Sequence, residues 1–244
     1  MKQKLTIAAI AAMLAAPTMA DTTAAYPICW EVGASYNFPT KDIINWGDNA
    51  PGKKVHTLGA DVTAVYKLDE NNAATLRLGY ATGSATKMYN GAELADTDIM
   101  DHFSGRDRYR LHTFTLMPGY RYTKQLNDKL SCFAGVNAGL VNASLKVSNT
   151  EDHSLSYIGT DGSPVIYDSY SDRHAAHASE WGFAYSVELG ATYAITENIS
   201  VFLAYQFSGN SARPKFATGD DGTGTISATQ QVYHSVRAGV GFQF

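Results

Sequence analysis

The stretch Gln231-Val-Tyr-His-Ser-Val-Arg-Ala-Gly-Val-Gly-Phe-Gln-Phe244 ends the chain and alternates apolar side chains with small or polar ones. Successive side chains of a β-strand point to opposite faces, so this period of two predicts a strand with one apolar and one polar face. The apolar set includes Val232, Val236 and Val240, whereas the polar set includes Ser235 and Arg237. A strand of this kind needs partners on both sides, and the rest of the chain must supply them.

Seven earlier segments show the same alternation. They lie at about 28–38, 56–68, 73–82, 108–123, 130–140, 181–195 and 199–207. Short turns follow the second, fourth and sixth segments. Long polar loops follow the others, at about 39–55, 83–107, 142–179 and 208–229. Tight turns on one side and long loops on the other are typical of outer-membrane barrels. The pattern predicts an all-β fold, an eight-stranded antiparallel transmembrane up-and-down β-barrel.

Two features of the sequence bear on the number and regularity of the strands. The segment Leu155 to Tyr167 contains Asp161-Gly162 and reads as a hairpin, which either stands above the membrane or inserts as two further strands to give ten. Pro118 lies inside the fourth segment, where its missing N–H predicts a local irregularity.

The N-terminus predicts export. Lys2 and Lys4 precede an apolar run at 5–16, and Ala20 ends the segment on a small residue, so 1–20 is expected to be a signal peptide and 21–244 the barrel. The run is too short to span a bilayer. The net charge of −4 argues against a nucleic-acid partner. Cys29 and Cys132 fall on opposite faces of strands on opposite sides of the barrel, so no disulfide is expected.

The polar faces of the strands carry seven charged residues, whereas the runs of apolar residues opposite them include no Asp, Glu, Lys or Arg. The seven are Glu31, Asp61, Lys67, Arg77, Arg121, Glu188 and Arg237. A water-soluble barrel would turn them outward. Aromatic residues at the strand ends instead favour a lipid-facing apolar exterior, and the glycine-rich polar faces favour a crowded lumen. Opposite charges there would pair, with Asp61–Arg77 and Glu31–Arg237 as candidate pairs on neighbouring strands.

Three segments carry a family resemblance. Trp181 to Tyr205 contains a Gly-x-x-Tyr strand, an Ile-Thr-Glu-Asn turn and an aromatic return strand; the others are Thr115 to Tyr122 and the final Gly-Val-Gly-Phe-Gln-Phe. Together they resemble the small outer-membrane barrels related to outer-membrane protein X and to the transmembrane domain of outer-membrane protein A. The resemblance implies a monomer in the outer membrane of a diderm bacterium, in contact with lipid and lipopolysaccharide. It also implies insertion by the barrel-assembly machinery, which would read Phe242 and Phe244 as the C-terminal signal.

Candidate binding and catalytic residues lie near the outward rim. Arg106, Arg108 and Arg110 enter the fourth strand from an outward loop, where they would meet lipopolysaccharide phosphates or form an ordinary solvated rim. His234 and Ser235 point to opposite faces and cannot act together as base and nucleophile.

A second histidine pair raises the question of a metal site. His174 and His177, with Asp172 and Glu180, would bind a metal only on a helix, and a solvated loop is the alternative. No catalytic residue, metal or cofactor is expected.

These observations predict a barrel with an occluded, ion-paired lumen. Its surface loops would serve adhesion, recognition of an external ligand or host surface, or envelope integrity. The alternatives are a lipid A-modifying outer-membrane enzyme and a narrow channel.

Overall fold

The structure, a computed structural model, describes residues 28–45, 52–96, 99–158, 163–218 and 224–243. The predicted signal peptide and Phe244 lie outside these ranges. The strands are β1 Ile28–Pro39, β2 Ile44–Asn45, β3 Thr57–Lys67, β4 Asn72–Asp96, β5 Ile99–Gln125, β6 Leu130–Ile158, β7 Pro164–Ala194, β8 Ile199–Asn210, β9 Lys215–Thr218, β10 Gly224–Ala228 and β11 Gln231–Gln243. Within the described ranges, the chain contains no helix with the length and hydropathy needed to cross a membrane.

Eight strands close into one antiparallel barrel in the order β1-β11-β8-β7-β6-β5-β4-β3. The C-terminal strand completes it, because β11 pairs with β1 from Cys29↔Gln243 to Pro39↔Tyr233 and with β8 on its other side. Closure leaves no unpaired edge within the barrel, as a lipid environment requires. The eight-stranded prediction is confirmed. The ten-stranded alternative is wrong, since the predicted hairpin lengthens β6 and β7 instead of adding strands.

Four strands continue far above the barrel, and this corrects two predicted loops. Residues 83–96, 99–107 and most of 142–179 belong to β4, β5, β6 and β7, which have 25, 27, 29 and 31 residues. At about 3.3 Å per residue, β7 is roughly 100 Å long, whereas about 9–11 residues suffice to cross a bilayer. Because β3 stops pairing at Gly83 and β8 begins to pair at Ala184, the four strands go on as an open sheet, whose concave face continues the lumen side of the barrel and whose convex face continues its outer side. We call this part, residues 84–96, 99–112, 142–158 and 164–183, the blade.

The other two predicted loops form a cap over the barrel mouth. Within 39–55 and 208–229, strands β2, β9 and β10 make a small three-stranded sheet. Its Ile43, Ile44 and Val55 are fully buried against Tyr109 and Leu145 at the base of the blade. The described parts of these segments, 39–45, 52–55, 208–218 and 224–229, are therefore packed structure, held on the barrel by an apolar cluster.

The outer face of the barrel is apolar and exposed. Leu189 and Leu203 are each 59% exposed. Glu188, which precedes Leu189 in the same strand and points into the lumen, is 1% exposed. Exposed tyrosines stand near the ends of the apolar band: Tyr66, Tyr80, Tyr120, Tyr122, Tyr193 and Tyr205. A closed sheet with this band and aromatic girdles is stable in lipid, and a water-soluble barrel would bury the same residues. The chain is a membrane-spanning barrel.

The sheet is irregular at Pro118, as predicted. Pairing of β5 with β6 runs to Leu116↔Leu140, lapses, and resumes at Gly119↔Asn137, while the β4 side stays paired. The two strands approach closely at this gap. A Cβ on Gly139 would lie 2.1 Å from the Leu116 carbonyl oxygen.

Candidate functional site

Six charged side chains meet in the lumen at mid-barrel. The carboxylate of Glu188 accepts a hydrogen bond from Arg77 at 2.6 Å and another from Arg121 at 3.2 Å. Arg121 also donates to both oxygens of Glu31, at 2.5 and 2.9 Å. Arg237 lies 3.5 Å from Glu31. Three arginines thus share the carboxylates of Glu31, Glu188 and one aspartate, so the charges balance, as a buried cluster needs.

The remaining carboxylate belongs to Asp61. Both predicted pairs are present as long ion pairs, Asp61–Arg77 at 3.9 Å and Glu31–Arg237 at 3.5 Å, but the shortest contacts of Asp61 are with Arg237. Arg237 donates to it through Nε at 2.9 Å and through Nη2 at 2.5 Å, while Arg77 stays 3.9 Å away. Lys67 is not part of this ion-pair network, although it was predicted to be among the lumen charges. It is exposed at the periplasmic rim and donates to Gln243 at 3.4 Å. Lys67 sits at the last position of its strand, where the lumen opens to water.

Neutral side chains that the sequence analysis missed complete the network. Thr63 Oγ1 accepts hydrogen bonds from Arg77 and Arg237, both at 3.2 Å. The rings of Phe133 and Phe202 lie 4.4 and 4.3 Å from the guanidinium carbons of Arg121 and Arg237. The sequence does contain an indication of the Phe133 ring in the lumen, because Phe133 lies on the same strand face as Ser131 and Gly135. A large aromatic residue on an otherwise small and polar face marks a packed lumen.

The network divides the lumen into two small spaces. A cavity of about 100 Å³ lies on the extracellular side, lined by Asn37, Thr115 and Gln206 among others. A space of about 290 Å³ opens toward the periplasm and contains the Cys29 side chain. Cys132 is exposed on the lipid face, and both cysteines are free. The buried ion pairs lie between these two spaces, and the cap lies above them.

The three predicted rim arginines lie together on the outer, convex face of the blade. Arg106, Arg108 and Arg110 occupy alternate positions of β5 and are exposed. Lys146 pairs with Arg110 and Arg173 with Thr150, next to Arg106, so the neighbouring strands add two further cations. Among the described residues, Asp152 is the one carboxylate on this part of the face. Lys146 and Arg173 were missed because their strands were predicted as a loop.

The remaining candidates do not assemble into a catalytic or metal site. His234 is exposed on the outer face and hydrogen-bonded to Tyr205, whereas Ser235 is buried on the inner face. His174 and His177 lie on a strand and face opposite sides, so a site built on a helix is wrong. The described residues include no group of three metal-binding side chains.

The predicted assembly signal is only partly described. Phe242 is partly buried and pairs with Trp30 on one side and Ile199 on the other. Phe244 lies outside the described residues, so a role in assembly stays a prediction.

No protein-family model matches the chain, and no curated protein matches it. Solved structures do match. Ail, the attachment invasion locus protein of Yersinia pestis, is 12% identical with a TM-score of 0.37 over 91% of this chain and 100% of its own. Neisserial surface protein A is 12% identical with a TM-score of 0.43 over 89% and 97%. The N-terminal β-barrel domain of Pseudomonas aeruginosa OprF is 13% identical with a TM-score of 0.30 over 91% and 100%.

Two features of this chain's own structure test the predicted architecture: the pairing of its strands and the exposed apolar band. Both are those of a small eight-stranded transmembrane β-barrel, so the predicted fold is confirmed.

Proposed function

We propose that this barrel acts through its extracellular blade and that the convex face of the blade binds phosphate groups of lipopolysaccharide. The lumen supports this division of roles. Six buried ionic side chains and the cap occupy the path that a solute would follow. An eight-stranded barrel has an interior that side chains just fill, so activity is expected at the exposed surface.

The observation that carries the proposal is the row of three exposed arginines on β5. Phe114 belongs to the outer apolar band, and Arg110 lies four residues further along the same strand. At about 3.4 Å per residue, this is roughly 14 Å beyond the band, at the level of lipid phosphates and the first sugars. Guanidinium groups bind phosphate oxygens through paired hydrogen bonds, and the alternate spacing aims all three to the same side.

Binding of lipopolysaccharide by purified protein tests the proposal. The variant Arg106→Ala/Arg108→Ala/Arg110→Ala should bind about a hundredfold more weakly, since each cation near an anionic surface contributes about 1 kcal/mol. The matched control removes three cations at the periplasmic end and should leave binding unchanged: Lys67→Ala/Lys124→Ala/Lys129→Ala. Equal binding by both variants and the unmodified protein would remove the proposal.

The same chemistry would hold a sulfated polysaccharide of a host surface. A heparin fragment and lipopolysaccharide, titrated separately, distinguish adhesion from a role in the envelope. Two other measurements address the competing functions. A current in planar bilayers would favour a channel, and an altered lipid A mass upon expression would favour an enzyme.

A further inference from the structure

The concave face of the blade carries the opposite charge. Residues on this face share the parity of the lumen side chains, and six carboxylates lie there above the cap: Glu93, Asp101, Asp107, Glu151, Asp168 and Asp172. Among the described residues of that region, the bases on the same face are Lys87, His153 and His174. Because a strand separates its two faces by parity, one sheet presents cations outward and carboxylates inward.

A buried carboxylate oxygen in this face is left without a donor. Asp101 is 5% exposed, and its Oδ2 accepts a hydrogen bond from His153 Nδ1 at 2.7 Å. Its Oδ1 is buried and has no hydrogen-bond partner, and the same is true of Asn149 Oδ1 on the neighbouring strand. Burying an unpaired acceptor costs free energy. Both acceptors therefore favour a ligand that brings N–H donors.

Aromatic rings flank the carboxylates. The Tyr89 ring covers Gly105, and the Phe103 ring covers Gly91, since a Cβ on either glycine would collide with the ring. Tyr170 stacks on His153 with 4.5 Å between ring centroids. Such rings attract cations through their faces, which adds to the attraction of the carboxylates.

The edges of the blade favour an extended chain as the ligand. Among the described residues, no strand pairs with β4 beyond Gly83 or with the part of β7 before Phe183. The lower ends of both edges already bind the cap: Lys53 Nζ donates to the Thr86 carbonyl at 3.0 Å, and the Ser211 amide donates to the Phe183 carbonyl at 2.9 Å. Unpaired strand edges recruit extended peptides through main-chain hydrogen bonds. The Lys53 contact shows that the edge also accepts an ammonium group.

We propose that the concave face of the blade binds an extended peptide segment rich in lysine and arginine. Carboxylates and rings lie on this face along the upper part of the sheet, and the free edges of β4 and β7 offer main-chain groups at its two sides. The proposal concerns the face opposite to the one proposed for lipopolysaccharide. It therefore stands or falls independently of that function.

Fluorescence anisotropy with the full-length refolded barrel, free of lipopolysaccharide, tests the proposal. The probe is a fluorescein-labelled peptide of repeated Lys-Ser pairs, and the reference peptide has glutamate in place of lysine. The test variant neutralises three exposed carboxylates of the concave face: Glu93→Gln/Asp168→Asn/Asp172→Asn. Its affinity for the lysine peptide should fall about tenfold, since exposed ion pairs each contribute a fraction of that factor.

The matched control neutralises three exposed carboxylates in the periplasmic turns: Glu70→Gln/Asp128→Asn/Glu197→Gln. It should bind the lysine peptide as the unmodified barrel does, and added salt should weaken both. Equal affinities of the test variant and the control would overturn the proposal. So would binding of the glutamate peptide, or binding of spermine as tight as that of the lysine peptide, which would indicate a small polycation site.

Discussion

Glu188 is predicted to be the residue whose removal costs the barrel most stability. It is 1% exposed and is shared by Arg77 and Arg121, with Arg237 at 3.9 Å. Replacing it with glutamine leaves three arginines facing two carboxylates in a space closed to water. Removing one partner of a buried ion pair costs about 3–5 kcal/mol, and the loss of two contacts places Glu188→Gln in the upper part of this range.

The free energy of unfolding in lipid vesicles, from denaturant titration followed by gel mobility without boiling, measures this cost. Lys67→Ala is the matched control. Its exposed contact with Gln243 should contribute less than about 1 kcal/mol. A second variant separates charge balance from packing. Glu188→Gln combined with Arg77→Gln restores equal numbers of cations and carboxylates, so it should be no less stable than Glu188→Gln alone.

Two results would refute this account of the lumen. One is a loss below about 1 kcal/mol for Glu188→Gln, which would mean that water reaches the cluster. The other is an additive double variant, which would mean that the Glu188 and Arg77 side chains do not depend on each other.

Two further predictions concern the blade and the gap in the sheet. The hydrogen bond to Asp101, aided by nearby carboxylates, raises the pKa of His153 above its ordinary 6.5. The contact therefore stabilises the blade fully below pH 6.5 and is lost as the pH rises through the raised pKa. NMR titration of the imidazole should show this midpoint, and Asp101→Asn should lower it; an unchanged midpoint would contradict the contact. Gly139→Ala should destabilise the barrel by about 1–3 kcal/mol in the same unfolding assay, because its Cβ meets backbone. Gly79→Ala meets a rotatable hydroxyl and should cost less; an equal loss would argue against the close approach.

The barrel was predictable because its strands separate two environments. Lipid on one side and a polar lumen on the other impose a period of two that the sequence shows directly, as in β11. From the same alternation, the sequence predicts that the side chains of Glu31, Arg121 and Glu188 face the lumen, as they do in the structure. The ion pairs that Arg121 forms with Glu31 and Glu188 were not predictable. Contacts across the lumen depend on the stagger of the strands around the barrel, so Arg121 meets Glu31 on a strand that is not its neighbour.

The blade was not predictable because both faces of its strands carry charged and polar residues. In β5, Arg106, Arg108 and Arg110 on one face alternate with Asp107 and Tyr109 on the other, so polarity shows no period and the segment resembles a loop. The cap was missed for a related reason. Its few buried residues, such as Ile43 and Ile44, are scattered through long polar connections and gain partners only from the distant blade.

A scan of single cysteines along β8 tests the central claim that lipid covers one face of these strands and the packed lumen the other. In a background with Cys29 and Cys132 replaced by serine, nitroxide labels are placed at successive positions in bilayers. Labels at Leu203 and Tyr205 should collide freely with oxygen dissolved in lipid, and labels at 202 and 204 should be protected, with a period of two. Uniform accessibility, or protection at 203 and 205 with access at 202 and 204, would contradict the account.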